Sequence, residues 1–241
     1  MGYRYIGSKA RIADEIIEYV KETATIEPGG FFVDAFSGTG VVAEKAAQIG
    51  WPVYVNDIMM NAVIMSEARL LSSTDVPFDY LGGYEEAIKA LNSLSGEEGF
   101  IWREYSPASK TFQLNERRYF TEENAKKIDA ISAKIHYWKN EKIISHKEFV
   151  LLMSDLIQAV NNVANIAGTY GCFLSGWTAQ AKEDLILSTS LLKNAQTIYR
   201  TSNCDVFAVE SEPEDIVYFD PPYTKRQYAS YYHILLSLIH I

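Results

Sequence analysis

The stretch Asp215-Ile-Val-Tyr-Phe-Asp-Pro-Pro-Tyr223 sets a carboxylate, two prolines and an aromatic ring at the end of an apolar run. Ile216 to Phe219 has the β-branched and aromatic composition of a buried strand. Asp220 precedes proline, which pushes it into an extended conformation, and both prolines have a fixed φ. Pro221 and Pro222 carry no N–H, so their carbonyls are free to accept from outside the loop. Tyr223 adds a flat stacking surface. A fixed carboxylate, stiff carbonyls and a ring suit a planar group that donates N–H, such as the amine of a nucleobase. The bland alternative is a strand that ends at Pro-Pro with Asp220 capping a turn. Four residues alone do not separate the two readings.

A second cluster lies near the start. Phe31-Phe-Val-Asp-Ala-Phe36 reads as an apolar strand, Ser37-Gly-Thr-Gly40 as a tight turn, and Val41 to Ile49 as a helix. Strand, glycine-rich turn and helix form the architecture of a nucleotide-type site. Gly38 and Gly40 let the backbone approach a ligand closely. The pattern has an acid, Asp34, at the strand end and lacks the G-x-G-x-x-G of dinucleotide binders. That acid repels a pyrophosphate and suits a ligand with an ammonium group, such as S-adenosylmethionine. Trp51 to Asp57 is a second strand ending in an acid, about twenty residues past the glycine turn, where a ribose-binding carboxylate is expected. The alternative for Asp57 is a helix N-cap. Ile58 is placed to press on an adenine ring.

The elements around these clusters follow from periodicity. Ser8 is expected to cap a first helix carrying Ile12, Ile16, Ile17 and Val20 at helical spacing, with Lys9 in its first turn. A cation there opposes the helix dipole, and a bound carboxylate would explain it better than a surface role. Asn61 to Leu71, Phe149 to Ile166 and Tyr228 to Ile241 read as helices. Leu185 to Tyr199 reads as a further helix or a helix and turn. Gly168 to Trp177 is a glycine and aromatic loop, and Asn203 to Phe207 a short strand or turn. Between 101 and 147 there are ten Lys/Arg against six Asp/Glu, interleaved with Trp102, Tyr105, Phe112, Tyr119, Phe120, Tyr137 and Trp138. This local basic excess suggests a nucleic-acid-facing insertion, with solvated helix faces as the alternative.

Composition bounds the rest. The 241 residues suffice for one large domain or a core with an insertion, and 48% hydrophobic residues support a sizeable core. The net charge of −9 argues against binding to DNA or membrane by overall charge. Cys172 and Cys204 have no metal-ligand spacing, so free thiols in a reducing cytoplasm are expected, without a metal. No signal core and no apolar run of membrane-spanning length occurs.

Taken together, YIGSK at 5–9, DAFSGTG at 34–40, ND at 56–57 and DPPYTKRQYASYYHILL at 220–236 resemble the D12 class of DNA adenine-N6 methyltransferases. RRYFTEENAKKID at 117–129 and NIAGTYGCFL at 165–174 resemble its restriction-modification branch. The resemblance implies an α/β, Rossmann-like S-adenosylmethionine-dependent methyltransferase fold. Residues 1–72 would form the cofactor part of the catalytic domain, 73–200 an inserted, mainly helical target-recognition region, and 201–241 the catalytic continuation. It implies that Tyr5, Lys9, Asp34, Phe36, Ser37, Gly38, Gly40, Asp57, Ile58, Asp205 and Asp220 line the cofactor site, with Lys9 on its carboxylate, Asp34 on its ammonium and Asp205 beside its adenine. Asp220, Pro221, Pro222 and Tyr223 would hold the target adenine. Arg117, Arg118, Tyr170, Arg226, Gln227 and Tyr228 would face DNA.

The partner implied is double-stranded DNA, with a cognate endonuclease sharing the system without direct binding, and the protein a cytoplasmic monomer. The family's catalytic domain continues with further strands, so the resemblance also implies C-terminal truncation and an exposed sheet edge. An inactive cofactor- or DNA-binding fragment is the corresponding alternative. Transfer to another planar amine (cytosine N4, an RNA base or a glutamine amide) is the other; the aspartate at position 220 favours adenine.

Overall fold

The computed structural model describes residues 7–24, 29–113, 115–222 and 228–240. The chain divides into two compact units, Met1–Asp75 with Leu192–Arg226, and Val76–Leu191 with Gln227–Ile241. The sequence reading puts the whole of 201–241 with the first unit, whereas the structure groups the final helix with the second.

The first unit contains α1 (Ala13–Thr23), β1 (Phe32–Asp34), α2 (Val41–Gln48), β2 (Val53–Asn56), α3 (Met60–Ala68), β3 (Tyr199–Ser202) and β4 (Ile216–Tyr218). The strands form one parallel sheet in the order β3-β2-β1-β4. Phe32 faces Val53 on one side and Ile216 on the other, and Asp34 faces Val55 and Tyr218. Parallel strands need helical crossovers, and α1 and α2 bury Ala13, Ile17, Val42, Ala43 and Ala46 against Phe32, Val53 and Val55. Phe32 stacks on Trp51 and Tyr218 with ring centroids 5.9 and 6.1 Å away. This packing fixes the strand ends, and in a parallel sheet all the carboxyl ends lie along one edge. The chain leaves β1 for β2 on one side and meets β4 on the other. That reversal makes the carboxyl end of β1 a topological switch point, the usual place for a ligand in such sheets.

Two local expectations fail here. The first helix begins at Ala13 with Ile12 at its N-cap, so Ser8 is not its cap and Lys9 precedes the helix. Residues 10–12 form a turn in which the Ile12 N–H donates to the Lys9 carbonyl at 2.9 Å. Asp14 and Glu15 occupy the first helical turn instead, the favourable sign for the dipole. Strand β4 is not the buried strand its composition suggests: Val217 is 40% exposed and Phe219 just beyond it 59%.

The second unit contains α4 (Tyr84–Asn92), α5 (Phe100–Tyr105), α6 (Ser109–Phe112), α7 (Glu122–Asn140), α8 (His146–Val163) and α9 (Tyr228–His240). Helices α7 and α8 begin at capped termini. Thr121 accepts from the Asn124 N–H, and Ser145 with Glu148 completes a capping box. The helix expected over Leu185 to Tyr199 is absent. Residues 183–191 form neither helix nor strand, with Leu185 and Leu187 buried and Ile186 exposed. Asparagine side chains take the backbone groups that a helix would have used. Asn124 binds the Glu183 carbonyl and Leu185 N–H at 2.8 and 2.9 Å, and Asn92 binds both the Leu187 carbonyl and its N–H at 2.9 Å. Ser190 closes the strap through Tyr84 and the buried carboxylate of Asp155. Among the described residues no helix is long and apolar enough to cross a membrane.

Candidate active site

The carboxyl edge of the sheet holds three carboxylates from three separate parts of the chain. Asp34 ends β1, Asp57 follows β2 and Asp220 follows β4. Asp34 is buried, and its Oδ1 has no hydrogen-bond partner among the described residues. Burial, then the nearby charges of Asp57 and Asp220, push its carboxyl up from the ordinary 3.8 to about 7. A buried acceptor without a donor is costly unless a ligand completes it.

The glycine turn between β1 and α2 is fastened on every side. The Ser37 N–H donates to the Asn56 carbonyl at 2.8 Å, and the Gly38 N–H to Asp57 Oδ2 at 3.0 Å. Ser66 Oγ of α3 donates to Ser37 Oγ at 3.0 Å, and Arg69 Nε to the Thr39 carbonyl at 2.7 Å. Gly40 sits at φ +73°, and a Cβ there would stand 2.5 Å from Ser66 Cα. Gly40→Ala is therefore expected to lower stability by about 2 kcal/mol or more, because left-handed strain adds to a backbone clash that α3 can relieve only by moving. A urea midpoint within error of wild type would show that the turn is looser than this packing.

Asp57 has both oxygens engaged, Oδ2 by Gly38 N–H and Oδ1 by Met59 N–H at 2.9 Å. Burial raises its pKa, against the pull of these N–H groups. The carboxylate thus fastens the link between β2 and α3, but it is not the helix N-cap weighed as its alternative, since Met59 holds that position, and it still borders the glycine turn. Ile58 beside it is 66% exposed. Asp205 accepts the Phe207 N–H at 3.0 Å and starts a short 3-10 turn. Phe36 meets Phe219 edge-on at 5.5 Å. Asp220 pairs with Lys9, Nζ to Oδ2 3.0 Å, and Pro221 and Pro222 are exposed. Tyr5, Tyr223, Arg226 and Gln227 lie outside the described residues.

Two residues with a part in this edge have no role in the sequence reading. Asn56, wholly buried, donates to the carbonyls of Ala35 and Cys204 at 3.2 Å and accepts from Ser202 Oγ at 2.7 Å. It ties the ends of β1, β2 and β3 together. Its signal is the asparagine of the Asn-Asp pair, a residue type that can donate and accept at once. Phe207 is 98% exposed, a bare ring following Asp205 in the same unit.

In the second unit Tyr170 is a correction. It is fully buried and its hydroxyl donates to Asn161 Oδ1 at 2.7 Å, so it is a core residue and cannot meet DNA. Arg117 and Arg118 are held internally. Arg117 donates to the Glu104 carbonyl at 3.1 Å and lies over the Tyr105 ring, and Arg118 pairs with Glu116 at 2.6 Å and donates to the Ser175 carbonyl at 2.7 Å. Asn165 fixes the glycine and aromatic loop by donating to the carbonyls of Arg118 and Leu174 at 3.1 Å and accepting from Thr178 N–H at 3.1 Å. Tyr228 opens α9, half-buried, with its ring 6.2 Å from Tyr232. Among the described residues no group of three His, Cys, Asp or Glu could hold a metal ion.

A parallel sheet whose carboxyl edge gathers an acidic glycine turn, a second strand-end acid and an acid–proline loop defines the S-adenosylmethionine-dependent methyltransferase class. Within that class the chain belongs to the D12 class N6 adenine-specific DNA methyltransferase family, whose model matches residues 5–240. It is 37% identical over 98% of its length to the type II methyltransferase M.FokI of Planomicrobium okeanokoites, and 34% identical over 96% to the modification methylase StsI of Streptococcus sanguinis. It is 30% identical over 97% of its length to the type II methyltransferase M.NlaIII of Neisseria lactamica. The chain spans only 36% and 35% of the first two relatives and 68% of the third. No solved structure matches it.

Proposed function

We propose that this chain carries the catalytic chemistry of a site-specific DNA methyltransferase, moving a methyl group from S-adenosylmethionine to the N6 amine of an adenine flipped out of duplex DNA. The observation that carries this reading is one sheet edge holding both a buried, unpartnered carboxylate oxygen, on Asp34, and the acid–proline loop at Asp220. The donor fits that edge. Its ammonium would answer the open oxygen of Asp34, its carboxylate would meet Lys9, and the bare backbone of Gly38, at φ +52°, lets a ligand approach the turn. Asp57 would reach the ribose, and Ile58, Phe207 and Asp205 would border the adenine. When bound, S-adenosylmethionine supplies a methyl group activated by its sulfonium.

The chain's own residues do the rest. An exocyclic amine is a weak nucleophile because its lone pair is delocalised into the ring. The Asp220 carboxylate accepts one of its N–H bonds and the Pro221 carbonyl the other, which localises the lone pair towards the methyl group. Positive charge grows on nitrogen as the bond forms, and the fixed carboxylate stabilises that charge more than the neutral amine. The proton leaves to water. Flipping costs a few kcal/mol, and stacking on Tyr223 returns about 1–3 kcal/mol. Phosphate contacts from the inserted region and from Arg226, Gln227 and Tyr228 supply the remainder. The reading extends to a monomer in the cytoplasm acting as the modification half of a restriction-modification system, with an endonuclease that shares its target sequence without binding it.

The test is transfer of labelled methyl to unmethylated duplex DNA, followed by digestion to nucleosides. Label in N6-methyladenine supports the proposal. Label in N4-methylcytosine, or none, refutes it.

A further inference from the structure

The ion pair between Lys9 and Asp220 joins the two halves of the site. Lys9 precedes α1 and Asp220 follows β4, so the contact links the opening of the described chain to the loop assigned to the target amine. Both side chains are mostly shielded, at 19% and 14% exposure, and their charged atoms are 3.0 Å apart. A carboxylate held this way has one oxygen committed to a cation. Asp220 is also close enough to Asp34 to disfavour its charged form, so Asp220 is coupled to Asp34 on one side and paired with Lys9 on the other. Now consider an α-amino acid group whose ammonium meets the open oxygen of Asp34. Its own carboxylate is only two bonds from that ammonium, and the cation paired with the neighbouring Asp220 is Lys9.

We propose that Lys9 is a shared counter-ion: the donor's carboxylate takes it from Asp220, so that loading the donor turns the Asp220 carboxylate over to the target amine. The inference rests on the methyltransferase reading and adds an order to it. Without donor, Lys9 occupies an acceptor oxygen that the amine needs. With donor, the lysine turns to the incoming carboxylate, and that oxygen opens at the moment a methyl group is available. The device needs no movement of the backbone, only a choice by one flexible ammonium between two carboxylates. Lys9 is thus a positioning residue for the base site as well as a donor contact.

The competition has a thermodynamic signature that does not require turnover. S-adenosylhomocysteine carries the amino acid group, and 5′-methylthioadenosine lacks both its ammonium and its carboxylate. Calorimetry on the full chain at pH 9, where Asp34 is charged with or without Asp220, should show S-adenosylhomocysteine binding about fivefold more tightly to Asp220→Asn than to wild type, since the charged competitor for the lysine is gone. Affinity for 5′-methylthioadenosine should stay unchanged, which also reports that the variant is folded. In a Lys9→Met background the gain from Asp220→Asn should vanish, because the coupling runs through the ammonium. Asp220→Ser should reproduce the asparagine result, and it takes the place of Asp220→Asn if the amide prevents folding. A gain that survives without Lys9, or no gain while both ligands bind wild type normally, overturns the shared counter-ion and leaves the methyltransferase reading standing. Failure of wild type to bind either ligand overturns both.

Discussion

Asp220→Ala is expected to slow methyl transfer to duplex DNA by roughly 10²–10³-fold in single-turnover assays, while binding of S-adenosylhomocysteine is retained or tightened. The size follows from what the carboxylate is asked to do. It opposes charge that exists only as the new bond forms, and a fixed group of that kind is worth about 3–4 kcal/mol in the barrier. The direction of the binding change follows from the ion pair. Alanine removes a carboxylate that holds Lys9, so the donor's carboxylate meets less competition for the lysine. Asp220→Asn separates charge from shape, since the amide keeps an acceptor oxygen. If charge is the cause, asparagine should fall close to alanine in rate. An asparagine variant near wild type would make orientation of the amine the whole effect. Parallel loss of rate and of ligand binding, with a lowered melting temperature, would mark Asp220 as structural.

The first unit is legible in the sequence where local and tertiary demands agree. Phe32–Asp34 and Val53–Asn56 are apolar strands bounded by turn residues, and the glycines between them sit at positive φ as the turn requires. The same rules placed Asp34, Asp57 and Asp220 each at the end of a strand. What they could not give is the partner of each carboxylate. Asp57 holds two backbone N–H groups, Asp34 leaves an oxygen open, and Asp220 takes a lysine 211 positions earlier in the chain (220 − 9). Such pairings depend on the fold bringing distant segments together.

The failures have the same origin. Leu185 to Tyr199 has apolar residues enough for a helix, yet its backbone is claimed by Asn92, Asn124 and Tyr84 from elsewhere in the second unit. Tyr170 sits in a glycine-rich loop, the setting of an exposed ring, but its hydroxyl finds a buried acceptor in Asn161 and the ring becomes core. The basic stretch from 101 to 147 reads as a positive surface. Much of its charge is already engaged within the protein, with Lys126 on Glu98, Arg118 on Glu116 and Lys134 over Tyr137 and Trp138. Composition counts charges but does not say which are already paired.

With Asp34 on the donor's ammonium, as proposed, donor binding should depend on pH. Its carboxyl is pushed from 3.8 to about 7, first by burial and then by Asp57 and Asp220, so near neutrality a large share of the protein carries it protonated. An ammonium ligand needs it charged. Binding must then release a proton, and affinity for S-adenosylhomocysteine should rise about tenfold between pH 6 and pH 8. Calorimetry in buffers of different ionisation enthalpy would register that proton directly. Stability runs the other way in the free protein. Between 3.8 and about 7 the folded state holds a proton that the unfolded chain has lost, so stability falls as pH rises through that window and levels off above it. The slope is at most about 1.4 kcal/mol per pH unit for one such group. Asp155 adds to it, since burial raises its carboxyl to about 7 as well, against hydrogen bonds from Ser190 and Tyr84. Asp155 lies in the second unit and has both oxygens partnered, so ligand should leave its share untouched. Asp34→Asn isolates the first contribution. It should raise the melting temperature of the free protein at pH 8, remove part of the pH slope, and weaken S-adenosylhomocysteine binding by about tenfold or more because a charged partner for the ammonium is gone. A variant no more stable than wild type at pH 8, with the pH dependence of binding intact, would mean that Asp34 is already charged and satisfied in the free protein.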